Sequence, residues 1–176
     1  METRVLYQGK YIRLMAQGNW EYAERVNCSG VVFIVACTDD GKMILCEQYR
    51  VPVGKNVIEI PAGLVNDGAS DTHETMEAAA KRELLEETGY VADEMIEIVR
   101  GPAAPGSSSV IITFFQAKGL KKVGPGGGDD AENIKVHEIP LAEMDEWIGQ
   151  QLLNPMKFVD PKIYVGLYFL KNRTKS

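Results

Sequence analysis

The sequence predicts an α/β protein with a mixed sheet packed between helices, and three features carry that expectation. Residues 31–37 (VVFIVAC) form an unbroken apolar run, the pattern of a strand buried on both faces. Residues from about 74 to 88 place Met76, Ala79, Ala80 and Leu84 on one stripe at helical spacing. The other segments read as strands accompanied by helices too few for a doubly wound sheet.

Taken in order, residues 4–14 (RVLYQGKYIRL) and 20–26 (WEYAERV) read as two strands around a turn at Gln17-Gly18-Asn19. Asp40-Gly41 separates 31–37 from a strand at 43–49 and is a strong hairpin signal. A short strand, 56–60, stops at Pro61, and a polar loop covers 64–73. Gly89 ends the long helix as a left-handed cap. Strands are expected near 94–100, 110–117 and 133–139, the last preceded by a glycine-rich loop at 124–128. Helices at about 141–152 and 161–171 finish the chain, the second opened by Asp160 as N-cap and Pro161 as N1.

With 176 residues the chain can bury a core as one domain without disulfides or structural metal. No apolar run approaches the roughly 20 residues that span a bilayer, and the first residues lack a signal-peptide core. Membrane association is therefore not expected. Cys28, Cys37 and Cys46 have no CxxC spacing; Cys37 and Cys46 sit in apolar runs and read as small buried hydrophobes of a reducing compartment, so the cytoplasm is the expected location. The net charge of −6 and a pI near 5.0 weigh against nucleic acid as a partner. A small anionic ligand then needs local help, such as a divalent cation.

Glu83, Glu86 and Glu87 are related as i, i+3 and i+4 and project from one side of the helix. Glu74, about two and a half turns earlier, reaches that region only with help from the helix entry. A solvated acidic face is the ordinary reading, and Arg82 with Glu86 makes an i,i+4 pair. Two arguments oppose it. Like charges 4 Å apart repel by roughly 1 kcal/mol even in water. These also stand in the last turns, where the macrodipole favours cations. Hard oxygen ligands suit Mg²⁺. The spacing Gly68-x5-Glu74-x7-Arg82-Glu83-Leu84-x-Glu86-Glu87-x-Gly89-Tyr90 resembles the Nudix box, GX5EX7REUXEEXGU, at every fixed position. The resemblance implies a Nudix α/β/α sandwich and metal-dependent hydrolysis of a nucleoside diphosphate linked to another group. It further implies Mg²⁺ (or Mn²⁺) ligation by Glu83, Glu86 and Glu87, with Arg82 orienting those carboxylates.

Gln48-Tyr49-Arg50 and Glu59-Ile60-Pro61-Ala62-Gly63-Leu64 resemble the signature of ADP-ribose and nucleoside-diphosphate-sugar pyrophosphatases, and the similarity covers nearly the whole chain. One departure is that Gly63 lies five residues ahead of Gly68, which opens the box here, so the loop is longer and the placement of Glu74 is less constrained. By resemblance the Ala62 carbonyl completes the metal site; otherwise Pro61-Ala62-Gly63 is a strand-ending turn. Trp20-Glu21 with Arg25 resembles an adenine-reading segment, with the alternative of a core tryptophan. Arg50 either meets the pyrophosphate or makes a surface ion pair.

Gly124–Gly128 with Asp129, Asp130 and Glu132 resembles a mobile loop carrying the catalytic base, Glu132 aligning best and Asp130 second; otherwise it is a loose turn. Pro105-Gly106-Ser107-Ser108 resembles a segment lining the sugar-phosphate side, with Ser108 as the contact, although Ala103-Ala104 stands where an acid is usual. His73, His137 and Trp147 read as structural. The resemblance assigns residues 1–28 to an N-terminal strand extension exchanged as a hairpin across a homodimer, and 29–176 to the hydrolase domain. The expected substrate is ADP-ribose or a related nucleoside diphosphate sugar, with GDP-mannose as the close alternative. A non-hydrolysing nucleotide-sugar sensor is the reading from another class, although such proteins tend to lose box carboxylates.

Overall fold

In a computed structural model, the described residues are 2–66, 74–128 and 132–172. Gly68, His73 and Asp130 lie outside them.

The core forms around the apolar run. Strand β4 (Val31–Ala36) points Val32, Ile34 and Ala36 to one side and Phe33 and Val35 to the other. The first set packs with Ala79, Ala80 and Leu84 of helix α1 (Met76–Thr88). The second packs with Met144 and Ile148 of α2 (Met144–Leu152) and with Ile163 and Leu167 of α3 (Lys162–Asn172). Helices therefore cover both sides, giving the α/β/α sandwich that the sequence predicts.

The strands divide among several sheets. β4 lies between β7 (Ala62–Leu64), antiparallel, and β10 (Ile111–Lys118), parallel, with β9 (Glu94–Pro102) outermost. A second sheet runs β12 (Lys135–Pro140), β5 (Lys42–Arg50), β6 (Lys55–Glu59), β13 (Lys157–Val159). One buried carboxylate spans it: Glu47 of β5 accepts from Asn56 of β6 at 3.0 Å and Lys157 of β13 at 2.8 Å, and meets Nε2 of His137 of β12 at 2.9 Å. Burial opposes its charge, but these donors win and hold its pKa at about 2. A pair of two-residue strands, β8 (Tyr90–Val91) and β11 (Lys121–Lys122), follows the end of α1.

Several expectations are corrected. Residues 4–14 are not one strand: the Gly9 N–H bonds the Ile12 carbonyl at 2.8 Å, and the chain reverses between β1 (Thr3–Gln8) and β2 (Ile12–Gln17). With β3 (Trp20–Arg25) these form a three-stranded antiparallel sheet. The Asp40-Gly41 turn forms, with Gly41 at φ +81°, and is closed by an isolated Cys37–Met43 bridge just past β4 and by the Thr38 N–H on the Lys42 carbonyl, but β4 and β5 enter different sheets. Helix α1 begins at Met76 rather than 74, because the Thr75 hydroxyl caps it by accepting from the Ala78 N–H at 3.1 Å. Helix α2 begins at Met144 rather than 141, after a turn. Gly89 ends α1 as expected, at φ +73° with its N–H on the Leu85 carbonyl.

Candidate active-site cleft

A cavity of about 560 Å³ opens over the side of α1 that faces β7. Glu83 and Glu86 of α1, Ala62 and Gly63 of β7, Arg50 of β5, Arg25 of β3 and Glu132 line it together. These residues are scattered over the sequence, and the fold brings them to one place.

Arg82 organises the helix side. Its Nε donates to Glu74 at 2.8 Å, and one terminal nitrogen donates to Glu83 at 2.8 Å and Glu86 at 3.0 Å. The other terminal nitrogen reaches the Leu64 carbonyl at 3.0 Å. Glu74 also accepts from the Asn66 N–H at 2.9 Å, which ties the helix entry to the end of β7. Hydrogen bonding to Arg82 lowers the Glu74 pKa. Of the three carboxylates that Arg82 is expected to orient, it bonds Glu83 and Glu86 but not Glu87, and it also lines the cleft.

Glu87 faces inward and is only 3% exposed. One oxygen accepts from the Ala62 N–H at 3.0 Å and faces the Cys46 thiol at 3.6 Å. Burial pushes its pKa up to about 8 against the Ala62 hydrogen bond, with Glu83 and Glu132 adding repulsion. Glu83 is raised to about 7, again chiefly by burial, although Arg82 opposes the shift. Gly63 packs directly on Glu83: a Cβ there would lie 1.8 Å from the carboxyl carbon, so any side chain would displace it. Buried Glu87 and partly buried Glu83, which repel one another, in an all-oxygen set with exposed Glu86 beside them, fit a hard divalent cation. Among the described residues no three acidic, histidine or cysteine side chains converge as a ready-made ion cage. Instead Arg82 bridges Glu83 and Glu86.

The glycine-rich segment is pinned rather than loose. The N–H groups of Gly127 and Gly128 donate to the carbonyls of Glu87 and Glu86, at 2.9 and 3.0 Å. Gly126, Gly127 and Gly128 all have positive φ, and a Cβ on Gly126 would lie 2.4 Å from the Thr88 carbonyl carbon. Glu132 follows this anchor and is exposed to the cleft.

The remaining predicted residues lie at varied distances from this centre. Arg50 pairs with Glu59 at 2.7 Å, an ion pair that itself lines the cleft. Arg25 lines both this cleft and a neighbouring, mostly aliphatic cavity, where Ser108 is found. Trp20 is 62% exposed, which corrects the core alternative, and neither Trp20 nor Glu21 lines the described cavities. Instead β3 is tied to its own chain at Ala23, whose N–H bonds the Ser107 carbonyl at 2.9 Å and whose carbonyl accepts from Ser109 at 3.0 Å. His137 bonds Glu47, and Trp147 packs against the α2/α3 core. Cys46 is buried, but Cys37 is only partly so. The sequence reading missed Phe33, Glu59 and Lys162 as cleft residues. Phe33 sits within the core-like run, and only the alternation of β4 could have separated it.

The "NUDIX domain" family model matches residues 29–159. The chain is 30% identical to the "Methanol dehydrogenase activator" of Bacillus methanolicus, over 97% of this chain and 91% of that protein. It is 33% identical to the "ADP-ribose pyrophosphatase" of Bacillus subtilis (strain 168), over 94% of this chain and 88% of the relative. Among solved structures it resembles "Crystal structure of ADP compounds hydrolase", with a TM-score of 0.75 at 22% identity, covering 99% of this chain and 92% of the other; that likeness bears on fold alone.

Proposed function

The chain belongs to the NUDIX domain family, and on that premise we propose that it hydrolyses the pyrophosphate bond of ADP-ribose or a related nucleoside diphosphate sugar, releasing a nucleoside monophosphate and a sugar phosphate. The observation that carries this reading is the cleft that gathers Glu83, Glu86 and Glu132 with Arg25 and Arg50. Carboxylates to hold a cation and arginines to meet phosphate oxygens are both needed for an anionic substrate in an acidic protein.

Glu83, Glu86 and Glu87, with the Ala62 carbonyl, would hold Mg²⁺ or Mn²⁺. The chemistry such a cation supplies when bound is Lewis-acid neutralisation of pyrophosphate charge. Arg82 bridges Glu83 and Glu86 and orients them. Glu132 takes the proton as water attacks phosphorus and the bridging P–O bond breaks, with Asp130 as the alternative base. Arg50, released from Glu59, binds the pyrophosphate. Ser108 lies toward the sugar phosphate. Trp20 and Glu21 read the base, serving the cleft of a second copy in a homodimer.

Residues 1–28 act as the N-terminal extension through which that homodimer forms, and residues 29–176 as the hydrolase domain. No helix among the described residues is long and apolar enough to cross a membrane. The three free cysteines suit a reducing compartment, and the cytoplasm is the proposed location.

The test is turnover of ADP-ribose, GDP-mannose, ADP-glucose and NADH, reading released monophosphate with Mg²⁺, with Mn²⁺ and with chelator. ADP-ribose is expected to give AMP only when a divalent ion is present. Faster GMP release from GDP-mannose would shift the substrate within the same chemistry. Tight binding without monophosphate from any substrate would overturn hydrolysis in favour of a sensor.

A further inference from the structure

The charged cleft does not stand alone. A second cavity of about 580 Å³ adjoins it, lined largely by aliphatic groups that include Ala103, Ala104, Val110 and Ile112. Arg25, Val31, Phe33 and Lys162 line both, so they mark the waist between a polar and an apolar chamber. A nucleoside diphosphate sugar is a doubly charged pyrophosphate with a bulkier group on each phosphate, so it too needs room on either side of a charged centre.

Lys162 is placed at that waist with care. It opens α3, and its backbone N–H donates to Asp160 Oδ1 at 2.8 Å. Its ammonium meets the other oxygen of the same carboxylate at 2.6 Å and lies 5.2 Å from the centre of the Phe33 ring. Asp160 is itself buried and fixed to β6 by its N–H on the Ile58 carbonyl at 2.9 Å. One acid thus caps the helix and aims the amine, and the lysine stem has little freedom left to lose on binding.

Arg25 shares the waist, whereas the other two arginines of the charged chamber are committed. Arg82 is bonded to Glu74, Glu83 and Glu86. Arg50 is held by Glu59, which belongs to the charged chamber. Lys162 uses one of three N–H donors on Asp160, which lines only the apolar chamber, and its side chain is 34% exposed. We propose that Lys162 is a further substrate-binding residue, whose ammonium receives one phosphate of the pyrophosphate at the waist while the group attached to that phosphate enters the apolar chamber. This rests on the pyrophosphohydrolase reading above.

The experiment compares wild type with Lys162→Gln and Lys162→Arg, using ADP-ribose and Mg²⁺, after thermal melts have checked that each variant folds. Lys162→Gln is expected to raise KM about tenfold or more with kcat within about threefold, because a ground-state phosphate contact is lost. Lys162→Arg should recover most of the loss, since it restores the charge. Product inhibition adds a readout that a purely structural lysine would not move: the glutamine variant should weaken competition by one product, AMP or ribose 5-phosphate, at least about fivefold and the other less than about twofold. A KM within about twofold of wild type, or equal weakening of both products, overturns the proposal. Inactivity of the wild type on every sugar nucleotide overturns the hydrolase reading instead, a separate result.

Discussion

The backbone N–H of Gly127 donates to the carbonyl of Glu87 at 2.9 Å, so the glycine-rich segment closes the end of the helix that carries the acidic cluster. Gly128 does the same for Glu86 at 3.0 Å. Carbonyls in the last turn of a helix have no partner within it, and here a distant part of the chain supplies the donors. Glu132 is therefore suspended from the same helix as Glu83, Glu86 and Glu87.

Gly126→Ala should break this arrangement. Gly126 has φ +68°, and its new methyl would meet the Thr88 backbone at 2.4 Å. Such conflicts cost on the order of 1–3 kcal/mol. Chemical denaturation should detect that loss, and kcat on ADP-ribose should fall more than KM rises. A variant with wild-type stability and kcat would show that the segment does not position Glu132.

Glu86→Gln and Glu87→Gln should each lower the rate by about a hundredfold or more, because each keeps shape while removing one charge from the cation site. Without Mg²⁺, Glu87→Gln should be no less stable than wild type: the amide oxygen can still accept from Ala62, and repulsion from Glu83 is relieved. An active Glu87→Gln enzyme with normal metal dependence would reject the ligand assignment.

Glu132→Gln should depress kcat while leaving the Kd for substrate nearly unchanged, since a base acts in the transition state. Asp130→Asn is the control. If the asparagine variant is damaged and the glutamine variant is silent, the proton goes to Asp130.

Glu83 and Glu87 set a pH dependence whose sign can be worked out. Glu83 and Glu87 titrate near 7 and 8 in the folded chain against 4.5 ordinarily, so the folded state holds protons that the unfolded state has released. By linkage, stability of the metal-free protein is greatest below about pH 5 on this account and declines as pH rises through about 8. Glu47 has the opposite sign: held at about 2, it contributes stability above its ordinary range that is lost as pH falls through 2. Melts in chelator should therefore give a lower Tm at pH 8 than at pH 5.5, and Mg²⁺ should narrow the gap by favouring the charged forms. A flat profile in chelator would contradict the burial of these carboxylates.

Much of this was legible because it is written as local pattern. The run 31–37 specified β4, and the stripe Ala79, Ala80, Leu84 specified the buried side of α1. The box spacing singles out Glu83, Glu86 and Glu87 from sequence alone. Strands such as β7, β8, β11 and β13 have two or three residues, too few for any period to show, and exist because neighbouring strands offer hydrogen bonds. Glu47 looks like any strand acid until β6, β12 and β13 bring three donors to it. Lys162 follows a helix cap and gives no sign in sequence that two cavities meet there.

The last prediction concerns assembly. Val5, Leu6, Tyr7, Ile12, Leu14 and Trp20 of β1–β3 and Tyr11 of the turn between β1 and β2 are all exposed, with Tyr7 at 71% and Trp20 at 62%. An apolar surface of this kind on a small sheet calls for a partner, and a second copy in a symmetric pair is the simplest one. The sheet also contacts its own chain through Ala23, so Arg25 can serve its own cleft while Trp20, at the opposite end of β3, remains available to the other copy. Sedimentation should find a dimer at assay concentration, and removal of residues 1–27 should give a monomer that has lost most affinity for the nucleobase. Trp20→Ala should leave the dimer intact and raise KM for ADP-ribose. An active full-length monomer would reject the dimer, and an unchanged KM would reject the stacking role of Trp20 without bearing on assembly.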